Sequence, residues 1–253
     1  YQNYVQNSPL CPINTLMTHG VIVTKYGDVA TNFDYAGVLR EIRCAFACGS
    51  GMVELYCDKD KLNSIENGAL WGDIAECIKW QKENADVLPD AHWVGGNPWD
   101  GSQNNVYGWA SWNGQKATLA LRNPSTSQKT FTFTLREVLD IPSYFTTPIT
   151  LTKAFAKDAD LSGLTTGEAI DLDQQISVTL AASSVYVYNG KHGSTEPEPV
   201  PTPSFNITAD ETATAFGEVT TGETYTRTVT VKGENLQGDI TVASSANAVL
   251  VPA

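Results

Sequence analysis

The feature that most constrains this chain is "STEPEPVPTPS", residues 194–204, in which Pro197, Pro199, Pro201 and Pro203 stand at every second position. Proline has no amide proton for a helix or sheet ladder and fixes its own φ, so no regular element continues through such a run. The segment reads as a semi-rigid, extended spacer with a rise of roughly 3.1 Å per residue. Residues 192–204 are therefore expected to be a linker, and the sequence on either side must be read separately.

Residues 1–100 read as alternating strand and helix. "NTLMTHGVIVT" (14–24) is an apolar, β-branched strand, and "MVELYC" (52–57) is a second. Between them "YAGVLREIRCAFACG" (35–49) carries Val38, Leu39, Ile42, Ala45 and Phe46 at helical spacing, and Gly49 stops it. A second helix is predicted over 69–88, with Leu70, Ile74, Cys77, Ile78 and Gln81 on one face. Near-continuous apolar strands alternating with helices point to parallel βα units.

Residues 101–191 change character. "QKATLALRN" and "KTFTFTL" are strands joined by Pro124-Ser125-Thr126-Ser127, and "ISVTLAASSVYVYNG" supplies two more. Short strands with turns between them suggest an antiparallel β-sandwich. Beyond the linker, 205–253 is again all-β, with strands expected in "TYTRTVTVKG" and "DITVAS". That segment is about half the roughly 100 residues of an immunoglobulin-like sandwich, so it reads as a partial module.

Composition closes off several functions. With 28 acids against 16 bases, the net charge of −12 leaves no cationic excess for a nucleic-acid partner. No apolar run is long enough for a transmembrane helix. No Walker A, G-x-G-x-x-G or G-x-S-x-G motif occurs, so no cofactor is implied. The five cysteines lack a C-x-x-C or a nearby His pair, which argues against zinc. They read as buried small hydrophobes, with a single disulfide left open. "DADLSGLTTGEA" (158–169) imitates the start of a calcium loop, but its twelfth position is Ala169 where an EF-hand has Glu. It reads as a polar connection, and no metal site is expected. The chain opens at Tyr1 without Met or a signal pattern, as a processed product or a fragment would.

"SPLCPINTLMTHGV", "AFACGSGMVELYCD" and "WGDIAECIKWQKENADVLPDAHWVGG" together resemble the end of the barrel in α-galactosidase-like (melibiase-type) bacterial glycoside hydrolases. "ATLALRNPSTSQKTFTFTL" is similar to the opening of the sandwich that follows such barrels. "FGEVTTGETYTRTVTVKGENLQGDITV" resembles immunoglobulin-like modules of secreted and surface proteins. The resemblance makes 14–24 and 52–57 the last two strands of a (β/α)8 barrel. It implies a multidomain chain: the C-terminal portion of a barrel (1–100), a sandwich (101–191), a linker and a partial immunoglobulin-like module. It implies a carbohydrate partner and a secreted, periplasmic or cell-surface location.

A retaining glycosidase works with two carboxylates about 5 Å apart. In the resembled family these stand on earlier strands, so both are expected upstream of Tyr1 and no catalytic residue is assigned here. Four residues are candidates for substrate contact. His19 is read at the end of the first strand and Asp58 at the end of the second. For Asp58 the alternative is a cap on the following "KDKLN" turn. Glu54 is read as paired in the barrel or set in its wall. Trp93 and Trp99, in "HWVGGNPWDG", would either lie against a sugar ring or, with Trp109 and Trp112, seal barrel against sandwich. Two βα units leave open sheet edges, which dimerisation or an upstream barrel segment would have to cover. The competing functional readings are a non-catalytic carbohydrate-binding or adhesive module and a structural spacer.

Overall fold

The structure is a computed structural model, and it describes residues 12–23, 34–97, 105–193, 206–209, 218, 220–226 and 228–234. The chain forms two compact units, Tyr1–Glu198 and Pro199–Ala253. Trp99, the proline run and the "DITVAS" strand lie outside the described residues.

In the first unit, strands β1 (Met17–Val23) and β2 (Met52–Cys57) pair in parallel, with helix α1 (Tyr35–Ala47) between them in the chain. Met17 faces Met52 and Val23 faces Cys57, with a register shift between Thr18 and Val21. A short helix α2 (Lys59–Ser64) and the longer α3 (Ala69–Glu83) follow. Asp34 caps α1 by accepting the Gly37 amide, one of the donors a helix start leaves without an intrahelical partner.

Helix α3 departs from the expected face in one respect. Leu70, Ile74, Cys77 and Trp80 are buried, whereas Ile78 is 39% exposed. At 3.6 residues per turn the buried stripe runs through 70, 74, 77 and 80, and position 78 falls off its edge. Gln81 stays at the margin and donates to the Ser50 carbonyl at 3.1 Å.

The antiparallel part has six strands in the order β3-β4-β5-β10-β7-β8, and a separate pair, β6-β9. These are β3 (His92–Gly95), β4 (Tyr107–Trp112), β5 (Lys116–Asn123), β6 (Lys129–Phe133), β7 (Ile149–Lys153), β8 (Ala169–Ile170), β9 (Ile176–Leu180) and β10 (Ser184–His192). The strands that flank the two links at 124–127 and 181–183 do not pair with each other. The Pro124–Ser127 link takes the chain from β5 in the larger sheet to β6 in the smaller, and 181–183 brings it back from β9 to β10. Both links meet at Asn123, whose fully buried side chain donates to the carbonyls of Ser127 and Ala181 at 2.8 Å each. The Ser183 amide adds a 2.8 Å bond to the Ser125 carbonyl. Leu119, Leu121, Phe133, Ile149, Leu151, Val178, Leu180 and Tyr188 fill one core between the two sheets.

A second core lies on the other face of the larger sheet. Val21, Val23, Ile42, Phe46, Leu70 and Trp80 meet Ala120, Val187 and Phe155 there, so the helices pack directly onto β5 and β10. Trp80 Nε1 donates to Asn189 Oδ1 at 2.7 Å, tying α3 to β10.

Within this packing sits Arg43, 1% exposed. Its Nε and Nη2 grip the two Asp158 oxygens at 3.1 Å each, and Nη2 also reaches Glu76 at 3.2 Å. Nη1 donates to Cys77 Sγ at 3.1 Å, and the guanidinium lies 3.5 Å from the centre of the Phe155 ring. The fully buried Asp73 takes Lys157 and the Tyr35 hydroxyl. Burial and the Arg43 charge hold the Lys157 ammonium below its usual pKa. A buried guanidinium is costly unless its donors are satisfied, and here one residue from the β7 side supplies the bidentate partner. Asp158→Asn is therefore expected to destabilise the chain by about 3 kcal/mol, whereas Asp158→Glu should recover part of that. Urea unfolding followed by tryptophan fluorescence measures both.

At the end of β10, His192 Nε2 accepts from Trp112 Nε1 at 2.8 Å and Nδ1 lies 3.0 Å from the Thr147 carbonyl. That pair of partners requires the neutral ring with its proton on Nδ1. Burial lowers the His192 pKa, opposed by the backbone bonds to Thr147 and Pro148. The neutral imidazole's contribution to stability is thus complete above the unfolded pKa of about 6.5 and is lost as pH falls through and below that value. Melting temperatures from pH 8 to pH 5 should fall more steeply for the natural chain than for His192→Gln, which does not titrate.

In the second unit, β11 (Asn206–Ala209) pairs antiparallel with β12 (Val231–Glu234). The strand expected over 224–233 is shorter than its pattern: the described residues from 220 to 230 are irregular, and Tyr225 and Val229 are each 43% exposed.

Candidate functional site

The C-terminal end of the parallel pair is where an α/β architecture presents functional groups. The chain enters β2 through Gly49-Ser50-Gly51. Gly49 has φ +79°, and a Cβ at Gly51 would stand 2.2 Å from the Asn14 carbonyl oxygen, so neither position admits a side chain without movement. The Ser50 hydroxyl accepts the Thr18 amide at 2.9 Å and donates to the Leu16 carbonyl at 2.6 Å, which locks β2 beside β1.

Alternation along β2 then divides its side chains. Val53, Leu55 and Cys57 pack toward α1 and α3. Met52, Glu54 and Tyr56 point the other way, with Met52 59% and Tyr56 43% exposed. Met17, opposite Met52, is 50% exposed. The Tyr56 hydroxyl donates to Glu54 Oε2 at 2.8 Å, and this bond raises the Tyr56 pKa, keeping the phenol protonated.

Asp58 follows directly. Its Oδ1 accepts the amides of Asp60 and Lys61 at 2.9 and 3.2 Å, so it is the N-cap of α2. The sequence suggests either substrate contact or a cap for Asp58, and a turn behind it; the structure has a cap, followed by a six-residue helix. His19 is the third residue of β1, inside the strand and not at its end. The apolar run continues through Val21-Ile22-Val23, and these three pair with Leu55, Tyr56 and Cys57.

The tryptophans separate. Trp93 stacks on Tyr107 with ring centres 4.7 Å apart and meets Trp109 edge-on at 5.9 Å. Trp109 packs against the helix-side core, whereas Trp112 packs with Phe145 against the core between the sheets. The two are an odd number of residues apart on β4 and so face opposite ways, which removes Trp112 from the helix-facing seal.

The described cysteines, Cys44, Cys48, Cys57 and Cys77, are free thiols. Burial pushes Cys44 and Cys77 up to about 11, despite the guanidinium groups of Arg122 and Arg43 against them. They act as weak acceptors and not as thiolate nucleophiles. In the 158–169 loop, Asp158 is held by Arg43 and Asp160 by Lys153 at 3.0 Å. No cluster of three or more His, Cys, Asp or Glu able to hold a metal occurs among the described residues. An open cleft of about 380 Å³ lies between α1 and the β9–β10 return, bordered by Tyr35, Leu39, Arg40, Lys157, Ser183 and Tyr186. Its cations are engaged: Arg40 with the Ser183 carbonyl and Glu41, Lys157 with Asp73.

No protein-family model matches the chain, and no curated protein matches it. Among solved structures, the α-galactosidase of Saccharomyces cerevisiae with raffinose is similar over 64% of this chain and 44% of its own, at 10% identity and a TM-score of 0.44. α-Galactosidase I of Mortierella vinacea is similar over 68% of this chain and 39% of its own, at 12% identity and a TM-score of 0.38. The chain spans less than half the length of either structure. At these TM-scores the likeness carries no argument about activity.

The cap gives a direct test of what Asp58 does for the fold. Asp58→Ala should cost about 1 kcal/mol and Asp58→Ser much less, because serine also accepts amides at an N-cap. Thermal unfolding of the two variants reads the difference.

Proposed function

We propose that this chain is the C-terminal part of a retaining glycoside hydrolase acting on α-galactoside-like glycans, with both catalytic carboxylates supplied upstream of it. On this reading β1 and β2 close a (β/α)8 barrel, the antiparallel sheets are the β-sandwich behind it, and the second unit is part of an immunoglobulin-like module. The protein would act on glycans outside the cytoplasm, secreted or at a bacterial cell surface.

The observation that carries the proposal is the second face of the parallel pair. Parallel strands are ordinarily buried on both sides. Here α1 and α3 cover one side, while Met17 and Met52 stand half exposed on the other. Further parallel strands curving round that face would bury them, which is what a barrel does. The sequence resemblance supports the same arrangement, a barrel end followed at once by antiparallel sheets. Asp58, directly after β2, would then stand at the mouth, with His19 further back within β1.

The test is hydrolysis of aryl α-galactosides by the parent protein and by the chain itself. Turnover by the parent and none by the chain is expected. Turnover by the chain alone would refute the placement of the carboxylates, and an inert parent would refute the enzymatic reading.

A further inference from the structure

The larger antiparallel sheet carries an unfinished edge. On one side β10 pairs with β5 from Ser184 to Lys191. On the other, β7 accompanies it only from His192 back to Tyr188, and a last bond runs from the Ala154 amide to the Val187 carbonyl at 2.9 Å. Beyond Ala154 the chain leaves the sheet for the irregular 155–160 segment. In an antiparallel ladder, alternate residues direct their peptide groups to the same neighbour. Val185, two before Val187, therefore turns its N–H and C=O to the side that β7 has left. Among the described residues nothing bonds to them there. The Ser183 carbonyl, further on, is taken by Arg40 Nη1 at 3.1 Å. The open edge is thus one residue long, with one donor and one acceptor, stopped by Arg40 at one end and by Ala154 at the other.

Val185 also borders the cleft of about 380 Å³ between α1 and the β9–β10 return, to which α1 contributes Tyr35 and Leu39. That volume lies within the range of small-ligand sites. Charge does not select an anion here, because Arg40 is paired with Glu41 and Lys157 with Asp73. An extended peptide suits the edge no better: strand addition bonds alternate residues along an edge, and this one offers a single residue. The wall is also fixed. Ser183 is held at φ +47°, a costly conformation for a residue with a side chain, by its amide bond to the Ser125 carbonyl at 2.8 Å and by Arg40.

We propose that this cleft binds a neutral pyranose unit through two adjacent hydroxyls, one accepting from the Val185 N–H and the other donating to the Val185 carbonyl. In an extended residue the backbone nitrogen and oxygen stand roughly 3 Å apart, the spacing of gauche vicinal hydroxyl oxygens on a sugar ring. Tyr35 and Leu39 supply apolar surface for the C–H groups of the ring. The inference goes beyond the hydrolase reading and does not depend on it: no residue of β1 or β2 takes part, and no bond is cleaved.

The experiment titrates the chain with methyl α-galactoside, with methyl α-glucoside and with permethylated methyl α-glucoside, which has no hydroxyl donor, and reads binding by ligand-observed NMR. Two variants locate the site. Val185→Pro removes the edge N–H without removing a bond to β5, because Val185 stands opposite Arg122 with its peptide groups turned away from that strand. Leu39→Trp fills the cleft from α1. The expected result is saturable binding of both glycosides, weakened about tenfold or more in either variant, the scale of one lost hydrogen bond. The permethylated sugar should not saturate. Affinities within twofold of the natural chain in the folded variants, equal binding of the permethylated sugar, or no saturation by either glycoside each overturn the proposal. Melting temperatures establish which variants fold, and if Val185→Pro does not, Leu39→Trp decides by the same criterion.

Discussion

The arrangement depends on a single buried guanidinium. Arg43 projects from α1 into a space bounded by α3 and by the loop after β7, and each neighbour gives it something different. Asp158 neutralises it with two parallel bonds, Cys77 accepts from Nη1, and Phe155 offers a ring face. Hydrophobic burial alone would let helices slide over a sheet, since apolar contact has no direction. A planar five-donor fork does not slide. The cluster thereby fixes how the parallel strand pair, carried by α1 and α3, sits on the antiparallel sheet.

That orientation is what gives the candidate site its form. With one face of β1 and β2 held against the helices and the sheet, period-two alternation leaves the other face to Met52, Glu54 and Tyr56. The strand entrance is set by Gly49, Ser50 and Gly51, and the exit by the Asp58 cap. Backbone constraints at both ends of this six-residue strand hold its middle in register.

Much of this was legible in the sequence, and the gaps have identifiable causes. The two parallel strands and two helices followed from apolar periodicity, and the antiparallel strands from short β-branched runs between turns. Pairing was less visible. "KTFTFTL" after a tight proline turn looks like the return arm of a hairpin, yet β6 pairs with β9 because its alternating Phe131 and Phe133 bury best between two sheets. Ile78 lies outside the buried stripe of α3, where Trp80 fills the interface and its N–H finds Asn189, a pairing that helical spacing alone does not reveal. The Arg43 cluster could not be read at all: its partner Asp158 lies 115 residues away, in a loop whose acids suggested calcium instead. For Glu54 the sequence suggests a paired or wall position, but its bond from Tyr56, two residues on along the same strand face, is a local contact that apolar periodicity does not mark.

Asn123 has a consequence for how the molecule comes apart. Its side chain holds both of the links by which the chain crosses between the two antiparallel sheets, bonding Ser127 on one and Ala181 on the other. A peripheral pair such as β6–β9 would ordinarily be the first to detach, opening at little cost while the larger sheet stayed intact. With both crossings fastened to one buried amide at the end of β5, lifting the small sheet breaks the bonds from that amide to both links. Detaching the small sheet thus costs these bonds in addition to its own packing, which favours unfolding of the two layers together.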